Sequence, residues 1–344
     1  RLEQAGQRLL ADAVPRLLAH RWSPAEFRAS LEAPASPAKR FHTRATNVQM
    51  LLFGLRVLLP AWLRGRIRRR YRPQWAVAIA PASGRQEPCV PAHGADWMTP
   101  PAEGFVADPF AYVNGDEEYQ PARNKGRISA AGGGAGGGFG PLQTALDEPF
   151  HLSFPFLFEH EGRLLMMPEQ HETGELWTYT SVAFPLRWEK YRRVMANCHV
   201  VDAVLLRHEG RWWLFHSTTV GEASDDNLYA CHAATPFGPW TPHASSPLRS
   251  GLRGSRMAGA FFHRAGGGII RPAQDCSSTY GGALVFFELE ELTPSCFRER
   301  EIGSADASSL LEPWRDRCHT WNAAGTWRVF DACHDTALRT TPPP

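Results

Sequence analysis

One pattern repeats along the chain and constrains its fold more than any other feature. Each copy begins with a short head, continues as a strand-like apolar run, and ends in a turn that contains glycine. In the first copy the head is Asp108, the run is Phe110–Val113 and the turn is Asn114–Gly115. The heads fall at positions 108, 154, 202, 259 and 320. A period of roughly 45 to 60 residues is typical of β-propeller blades, so the pattern predicts five blades.

The composition agrees with a large, mainly β domain. The chain has 344 residues, of which 43% are hydrophobic and 21% are charged. This is enough for a substantial core in one or two domains. Plentiful aromatic residues between glycine and proline turns favour an all-β fold. The formal net charge of +2 singles out no class of partner.

The seven cysteines are scattered and form no Cys-x-x-Cys motif. An odd, unpatterned set predicts reduced thiols in a cytoplasmic protein rather than a zinc site or a disulfide framework. Phosphate-binding and dinucleotide-binding glycine motifs are also missing from the sequence. We therefore predict neither a metal nor a cofactor.

The patterning divides the chain into three parts. Residues 1–73 are predicted to be a helical arm or the remnant of an upstream domain, because leucines recur there at helical spacing. Residues 74–332 are predicted to form the propeller, beginning with the alternating strand Gln74–Ala80. Residues 333–344 are predicted to be a disordered tail.

Residues 50–72 combine an apolar stretch with a cluster of arginines. Arg56 and Pro60 interrupt the apolar part, which is too short to span a membrane. One interpretation is peripheral contact with an anionic membrane surface. The other is an arm that packs on the propeller with an arginine-rich solvated face. Since no aromatic residues are interleaved in the manner of RNA-binding modules, we predict no nucleic-acid partner.

Several short strings of this sequence, taken together, resemble one known family. They occur in the order Phe105–Phe110, Lys125–Ser129, Glu148–Phe156, Met167–Glu169, Val201–Ala203, Gly238–His243, Arg271–Cys276 and His319–Asn322. In this order they are similar to the propeller domain at the N-terminal end of glucosamine inositolphosphorylceramide transferases and to its bacterial relatives. The resemblance covers roughly residues 75–332.

The resemblance implies a five-bladed propeller similar to that of glycoside hydrolases of the arabinanase and fructosidase type. It also implies that glycosyl transfer belongs to a separate C-terminal domain with an Asp-x-Asp metal motif. This sequence has only the isolated pair Asp225–Asp226. It also departs from the family in blade one, where residues 114–119 are compressed and the glycine-rich run 130–140 replaces an expected strand.

Polar residues that head the inner strands of a propeller converge on its central channel. The predicted catalytic residues are Asp108, Glu169 and Asp202. The predicted substrate-binding residues are His151, Arg256, Arg271, Gln274, Asp275 and His319, with Arg253 and Asn322 as second choices.

Glycoside hydrolysis needs two carboxyl groups that flank the sugar, and these three acids fit that requirement. The resemblance implies a general base from blade one, an Asp from blade three and an acid Glu from blade four. Blade four instead offers Ser255–Gly259, without a Glu. Arginines in the channel would suit an acidic or phosphorylated sugar.

Each candidate also has a purely structural interpretation. Asp108 and Asp202 can cap the blades by accepting backbone N–H groups. Arg271 and Asp275 can form an internal salt bridge, and His319 can be a satisfied histidine between blades.

Three functions follow from these alternatives. In the first, the chain acts on or recognises a glycan, sugar phosphate or glycolipid head group in the channel. In the second, it is a non-catalytic recognition module for a glycosyltransferase or formyltransferase partner. In the third, it is a truncated, inactive gene product. Whether it is an enzyme stays open at this point.

Overall fold

A computed structural model describes the chain from residue 71 onwards, with gaps. The described residues are 71–82, 94–98, 100, 104–112, 117–119, 126–132, 139–219, 226–264, 266–310 and 313–337. The chain divides into a unit of residues 1–70 and a unit of residues 71–344. The predicted helical arm, up to residue 70, lies outside the described residues, as does most of the predicted membrane-contact segment 50–72.

The described part of the second unit is all-β. It contains two short 3₁₀ turns, His171–Thr173 and Ala307–Ser309. The described residues contain no α-helix. The strands are β1 (Tyr71–Pro81), β2 (Asp96–Met98), β3 (Glu117–Tyr119), β4 (Ile128–Gly132), β5 (Gln143–Leu146), β6 (Ser153–His160), β7 (Arg163–Glu169), β8 (Glu175–Ala183), β9 (Arg187–Ala196), β10 (Val200–His208), β11 (Arg211–Thr218), β12 (Asn227–Ala233), β13 (Thr241–Pro242), β14 (Arg249–Ser250), β15 (Arg253–Met257), β16 (Phe262–His263), β17 (Ile269–Asp275), β18 (Ala283–Leu292), β19 (Phe297–Ala305), β20 (Trp321–Ala324) and β21 (Trp327–Ala337).

These strands form antiparallel sheets in a propeller-like arrangement. Two sheets have four strands, in the orders β2-β1-β21-β20 and β6-β7-β8-β9. Two have five, with the main paths β10-β11-β12-β13 and β15-β17-β18-β19. The remaining sheet, β3-β4-β5, has three. The prediction of a five-bladed propeller is therefore wrong: within the described residues, four sheets have the strands of a blade.

The first and last strands of the described chain close the arrangement. β1 pairs with β21 along its whole length, from Tyr71 opposite Ala337 to Pro81 opposite Trp327. The propeller thus begins before the predicted boundary at 74. Because β21 continues to Ala337, residues 333–337 belong to a strand rather than to the predicted disordered tail.

Four of the five repeated heads have a positive φ angle, and three of these lie in the left-handed region. The φ angle is 55° at Asp108, 45° at Phe154, 50° at Asp202 and 154° at Gly259. Non-glycine residues rarely adopt positive φ, so such positions persist only where the surrounding contacts enforce them. The pairing of β6 with β7 and of β10 with β11 also shifts register at these heads. At Phe154 and Asp202 the repeat therefore corresponds to a bend at the start of the first strand of a sheet.

The core lies between neighbouring sheets and is strongly aromatic. Trp213, Phe215, Phe286, Trp321 and Phe330 are all almost completely buried. Burying each such side chain contributes about 1.5–3 kcal/mol, so these contacts dominate the stability of the unit.

The six cysteines that the structure describes are all free thiols. Within the described residues, no helix is both long enough and apolar enough to cross a membrane.

Candidate functional site

Two of the bent heads, Asp108 and Asp202, line a cavity of ≈ 240 Å³. Its lining combines charged groups with aromatic walls. The lining residues are Trp75, Phe105, Ala107, Asp108, Gly126, His151, Leu152, Ser153, Glu169, Asp202, Arg256, Tyr280 and His319. Six of the nine predicted site residues are among them, including all three predicted catalytic carboxylates. We call this space the axial cavity.

Asp108 belongs to a buried triad with His319 and Asp331. His319 Nε2 lies 3.1 Å from Asp108 Oδ1, and its Nδ1 lies 2.9 Å from Asp331 Oδ2. The hydroxyl of Thr320 also donates to Asp108 Oδ1, at 2.9 Å. Asp331 is fully buried and accepts the backbone N–H groups of Asp108, His319 and Thr320. The triad therefore joins the head of the first repeat to the last.

The triad fixes the protonation of its members. Burial opposes charge on His319, but Asp331 and Asp108 overcome it and raise the pKa of the imidazole to about 10. Burial likewise tends to raise the pKa of Asp108, yet His319, Thr320 and Arg256 hold it below its ordinary value. At neutral pH the cavity thus contains an imidazolium beside an ionised Asp108.

The triad also has the composition of a metal site, since one ligand atom from each of its three residues lies within 4.8 Å of the others. Its protonation does not suit a metal, because an imidazolium has no lone pair to offer. Asp331 also accepts three backbone N–H groups, which takes up much of its capacity. The residues present fit an ion-pair triad better than a metal centre.

Glu169 connects the second and third repeats. Its Oε2 accepts the backbone N–H of Asp202 at 3.0 Å, and its Oε1 lies 3.0 Å from His171 Nδ1. This hydrogen bond is the main cause that raises the pKa of His171. Glu169 thus does at Asp202 what Asp331 does at Asp108: a carboxylate accepts the N–H of a bent head residue.

Asp202 forms the central ion pair of the axial cavity. Its Oδ2 accepts from Arg256 Nε at 2.6 Å and from Gln274 Nε2 at 3.2 Å. Burial raises the pKa of Asp202 to about 6, although Arg256 opposes this shift; Glu169 adds to it. The guanidinium of Arg256 also lies 5.0 Å from the ring centre of Tyr280. Carboxylates in one cavity thus have pKa values that are displaced in opposite directions.

His151 lines the axial cavity through a close backbone contact with Gly126. The N–H of Gly126 donates to His151 Nδ1 at 3.0 Å. A Cβ at position 126 would lie 2.0 Å from the carbonyl oxygen of Leu152 and 2.7 Å from His151 Cε1. Only glycine fits there, which explains part of the Lys-Gly-Arg string in physical terms.

Three predicted ligand-binding residues lie outside the axial cavity. Arg271 is 1% exposed and forms a bidentate pair with Glu299, at 2.8 and 2.7 Å. Asp275 pairs with Arg253 and accepts the N–H of Ser277. Gln274 contacts the site through Asp202, to which its side-chain amide donates a hydrogen bond. The same amide nitrogen also donates to the carbonyl oxygen of Met257.

The structure thus places Arg271 and Asp275 in internal ion pairs away from the axial cavity. Arg271 does form an internal salt bridge, but with Glu299 rather than with Asp275. Of the second choices, Arg253 pairs with Glu301 as well as Asp275. Asn322 fastens two backbone groups, donating to the carbonyl of Pro109 and accepting from the N–H of Ala260.

Sequence reasoning missed four residues of the site: Trp75, His171, Tyr280 and Asp331. The ring centres of Trp75 and His319 are 4.2 Å apart, so β1 supplies a wall of the cavity. A signal existed for Asp331, which is a lone acid in the apolar run Val329–Cys333. A buried acid in such a run needs partners, and here it finds them at the axis.

The architecture places the chain among propeller proteins. An α-L-arabinofuranosidase from Podospora anserina, solved in complex with cellotriose, superimposes with a TM-score of 0.50 at 9% identity, over 68% of this chain and 91% of that chain. A family 117 glycoside hydrolase from Zobellia galactanivorans gives a TM-score of 0.48 at 13% identity, over 79% of this chain and 93% of that chain. At such low identity, the likeness to the arabinofuranosidase concerns the fold alone.

The sequence itself defines the family. The family described as "Glucosamine inositolphosphorylceramide transferase 1, N-terminal" matches residues 85–330, well over half of the chain, and the chain belongs to this family. A relative named glucosamine inositolphosphorylceramide transferase 1 from Arabidopsis thaliana is 37% identical over 230 residues. A relative of the same name from Oryza sativa subsp. japonica is 36% identical over 232 residues.

These relatives are much longer than the matched region. The match covers 63% of this chain but 29% of the Arabidopsis protein, and 62% of this chain but 31% of the rice protein. The chain therefore spans less than a third of the curated relatives it matches.

Proposed function

We propose that the axial cavity binds a carbohydrate head group. The observation that supports this most directly is the convergence of Asp108, Glu169 and Asp202, from three separate repeats, on one cavity. Ionised carboxylates and an arginine suit the hydroxyl and amino groups of a sugar, because each can form charge-assisted hydrogen bonds with them. Trp75 and Tyr280 supply apolar faces against which a sugar ring can pack.

The size of the axial cavity favours a small head group. Pockets for drug-sized ligands usually measure about 300–1,000 Å³, and this cavity is smaller. Arg271 lies elsewhere, so Arg256 is the arginine that remains from the predicted arginine-rich channel, and it is already paired with Asp202. The charges of the cavity therefore favour an amino or neutral sugar over a strongly anionic one.

The family relationship supports the same ligand class. The names of the relatives refer to glucosamine and to inositolphosphorylceramide. Head groups that contain an amino sugar or an inositol are accordingly the first candidates.

A second candidate function is glycoside hydrolysis in the same cavity. Its support is the pair Asp108 and Asp202, because the pKa of the first is lowered and that of the second is raised to about 6. Carboxyl groups with displaced pKa values are the usual acid and base of hydrolysis. Against it, Asp202 is held by Arg256 and Gln274, and no glutamate stands at the fourth head. Recognition without turnover, in the service of a transferase, is therefore our preferred form of the proposal.

The test compares Asp108→Asn with the native chain and with Glu161→Gln. The control removes the same charge from an exposed turn, where the Glu161 side chain is 78% exposed. Calorimetric titration with glucosamine, inositol and soluble glycolipid head groups is expected to detect binding to the native chain. We expect Asp108→Asn to weaken it at least tenfold, equivalent to about 1.4 kcal/mol, and Glu161→Gln to leave it unchanged.

Each outcome has a defined meaning. No binding of any sugar by a folded native chain would overturn the proposal, and so would equal binding by both variants. Release of free sugar that Asp108→Asn or Asp202→Asn abolishes would favour hydrolysis over recognition. Near-ultraviolet circular dichroism of each variant checks that the fold is retained.

A further inference from the structure

A second cavity, of ≈ 780 Å³, lies between the edge strand β9 and the sheet that contains β11–β13. We call it the lateral cavity. Val194 and Met195 contribute to one wall. Tyr229, Phe237 and Trp240 contribute to the other. None of its lining residues lines the axial cavity.

The two cavities differ sharply in chemistry. The axial cavity is lined by three carboxylates, whereas no carboxylate of a described residue lines the lateral cavity. The Trp240 indole N–H is already used by the carbonyl of Val194, at 2.9 Å. Two polar residues of its lining are also engaged, since Arg193 pairs with Glu175 and Ser246 exchanges hydrogen bonds with the backbone of Ala230. A sugar would therefore leave hydroxyl groups without partners there, and burying them unpaired is costly.

The histidine of the lateral cavity is also uncharged. His216 Nδ1 lies 3.0 Å from the carbonyl oxygen of Ser217, and its ring stacks on Tyr229 with the centres 5.7 Å apart. Burial lowers the pKa of His216, so the imidazole is neutral at pH 7. The stacked pair therefore acts as an apolar wall rather than as an anion site.

Cations cluster on the strand that borders this cavity. β9 carries Arg187, Lys190, Arg192 and Arg193, all exposed. Arg193 lines the lateral cavity but is paired with Glu175 at 2.8 Å. The guanidinium of Arg192 instead lies over Phe237, 5.2 Å from the ring centre. No carboxylate of the described residues forms a salt bridge with Arg192, so a cation stands directly beside a wall of the cavity.

We propose that the lateral cavity binds a single-chain amphiphile with an anionic head group. The alkyl chain would occupy the space between Met195 and Trp240, and the head would contact Arg192. An alkyl chain fits an apolar cavity of this volume because it requires no hydrogen bonds there. The exposed guanidinium supplies the charge that an anionic head needs at the entrance.

This site is independent of the proposed axial function, since the two cavities share no residue. A flat aromatic compound is the competing ligand, because Phe237, Tyr229 and Trp240 could stack on it. Chain length separates the two cases. Each methylene that enters an apolar site strengthens binding by up to about fourfold, whereas an aromatic slot gains little from a longer chain.

The experiment titrates the native chain with hexyl phosphate, octyl phosphate, 1-octanol and inorganic phosphate, all as monomers. Octyl phosphate is expected to bind about tenfold more tightly than hexyl phosphate and more tightly than 1-octanol. Inorganic phosphate is expected not to bind detectably. Arg192→Gln should weaken octyl phosphate about tenfold and leave 1-octanol unchanged, and Arg187→Gln, at the start of the same strand, is the matched control.

A second variant tests the cavity itself. Ala196 is an exposed lining residue, so Ala196→Trp can fill the space without disturbing the core. It should abolish binding of both octyl compounds while the circular dichroism spectrum stays native.

Several results would overturn the proposal. These are absence of octyl phosphate binding at millimolar concentration, equal affinity for hexyl and octyl phosphate, and binding that survives Ala196→Trp. A further test uses phosphatidylcholine vesicles that contain one fifth phosphatidic acid. If the chain sediments with these vesicles but does not bind monomeric octyl phosphate, the proposal is also overturned, because the chain then binds the vesicle surface and not an alkyl chain in the cavity.

Discussion

Two buried arginine–carboxylate pairs in this propeller have similar geometry but different surroundings. Arg271 and Glu299 are 1% and 4% exposed and lie within one sheet, on β17 and β19. Arg256 and Asp202 are 9% and 5% exposed and border the axial cavity from two different sheets. The first pair is sealed by Phe287, whose ring centre lies 4.8 Å from the Arg271 guanidinium.

The difference teaches that burial and pairing do not by themselves identify a functional charge. Glu299 accepts from both Arg271 and Arg249, and together these arginines overcome the effect of burial and lower its pKa. Asp202 has a single arginine among its contacts and keeps a raised pKa. A fully compensated carboxylate is fixed in one state, whereas the carboxylate at the axis can still exchange a proton or accept a ligand.

The largest effect is expected from breaking the sealed pair. Glu299→Gln leaves the Arg271 guanidinium buried without its counter-ion, and such a loss typically costs about 3–5 kcal/mol. We expect urea denaturation to show this decrease in the free energy of unfolding, with sugar binding in the axial cavity retained at low temperature.

Glu301→Gln is the matched control for that experiment. Glu301 lies on β19 like Glu299, but it pairs with Arg253 of β15, and the two side chains are 44% and 41% exposed. A loss below about 1 kcal/mol is therefore expected. Equal losses in the two variants would contradict the distinction between sealed and exposed pairs.

The next effect concerns the triad at the axis and depends on pH. His319 has a pKa of about 10 in the folded chain and an ordinary value of 6.5. Because the pKa of His319 is higher in the folded chain, protonated His319 stabilises the fold. This contribution is complete below pH 6.5 and is lost as the pH rises towards 10. Over that window the free energy of unfolding should fall by up to about 1.4 kcal/mol per pH unit.

His319→Gln should remove this dependence. Denaturation curves at pH 6, 7.5 and 9 are expected to converge for the variant while they separate for the native chain. An unchanged slope in the variant would mean that His319 is not held as an imidazolium by Asp108 and Asp331.

The smallest effect is expected on the exposed face of β19. Arg300 pairs with Glu288 and Glu290, but its side chain is 58% exposed. Exposed pairs contribute about 0–1 kcal/mol, because water screens them and the side chains lose freedom. Arg300→Ala should therefore shift the thermal midpoint by no more than a few degrees. A loss of unfolding free energy as large as that of Glu299→Gln would show that the ion pairs along β19 stabilise one another.

Much of the fold was accessible from the sequence because the repeat is local. A head, an apolar run and a glycine turn occupy fewer than about twelve residues, so the spacing of the heads revealed a propeller. The number of full blades was not accessible in the same way. It depends on whether residues 114–119 have enough length for a strand, and their composition alone does not decide this.

The site was predicted in part for the same reason. Asp108, Asp202 and His319 stand at or next to strand heads, and heads converge on an axis whatever the register of the sheets. Which face of the sheet the Arg271 side chain occupies depends on the register of β17 with its neighbouring strands. That register is set by residues distant in sequence. Asp331 was missed because its partners, Asp108 above all, are distant in sequence and meet it only in the closed ring.

The pairing of β1 with β21 has a consequence for how the molecule is made. Trp75 reaches the axial cavity from β1, whereas His319 and Asp331 come from the last residues of the propeller to be synthesised. On the ribosome, β1 must remain without its main partner until residues 327–337 have emerged. The axial cavity therefore cannot be complete until residues 327–337 have been translated.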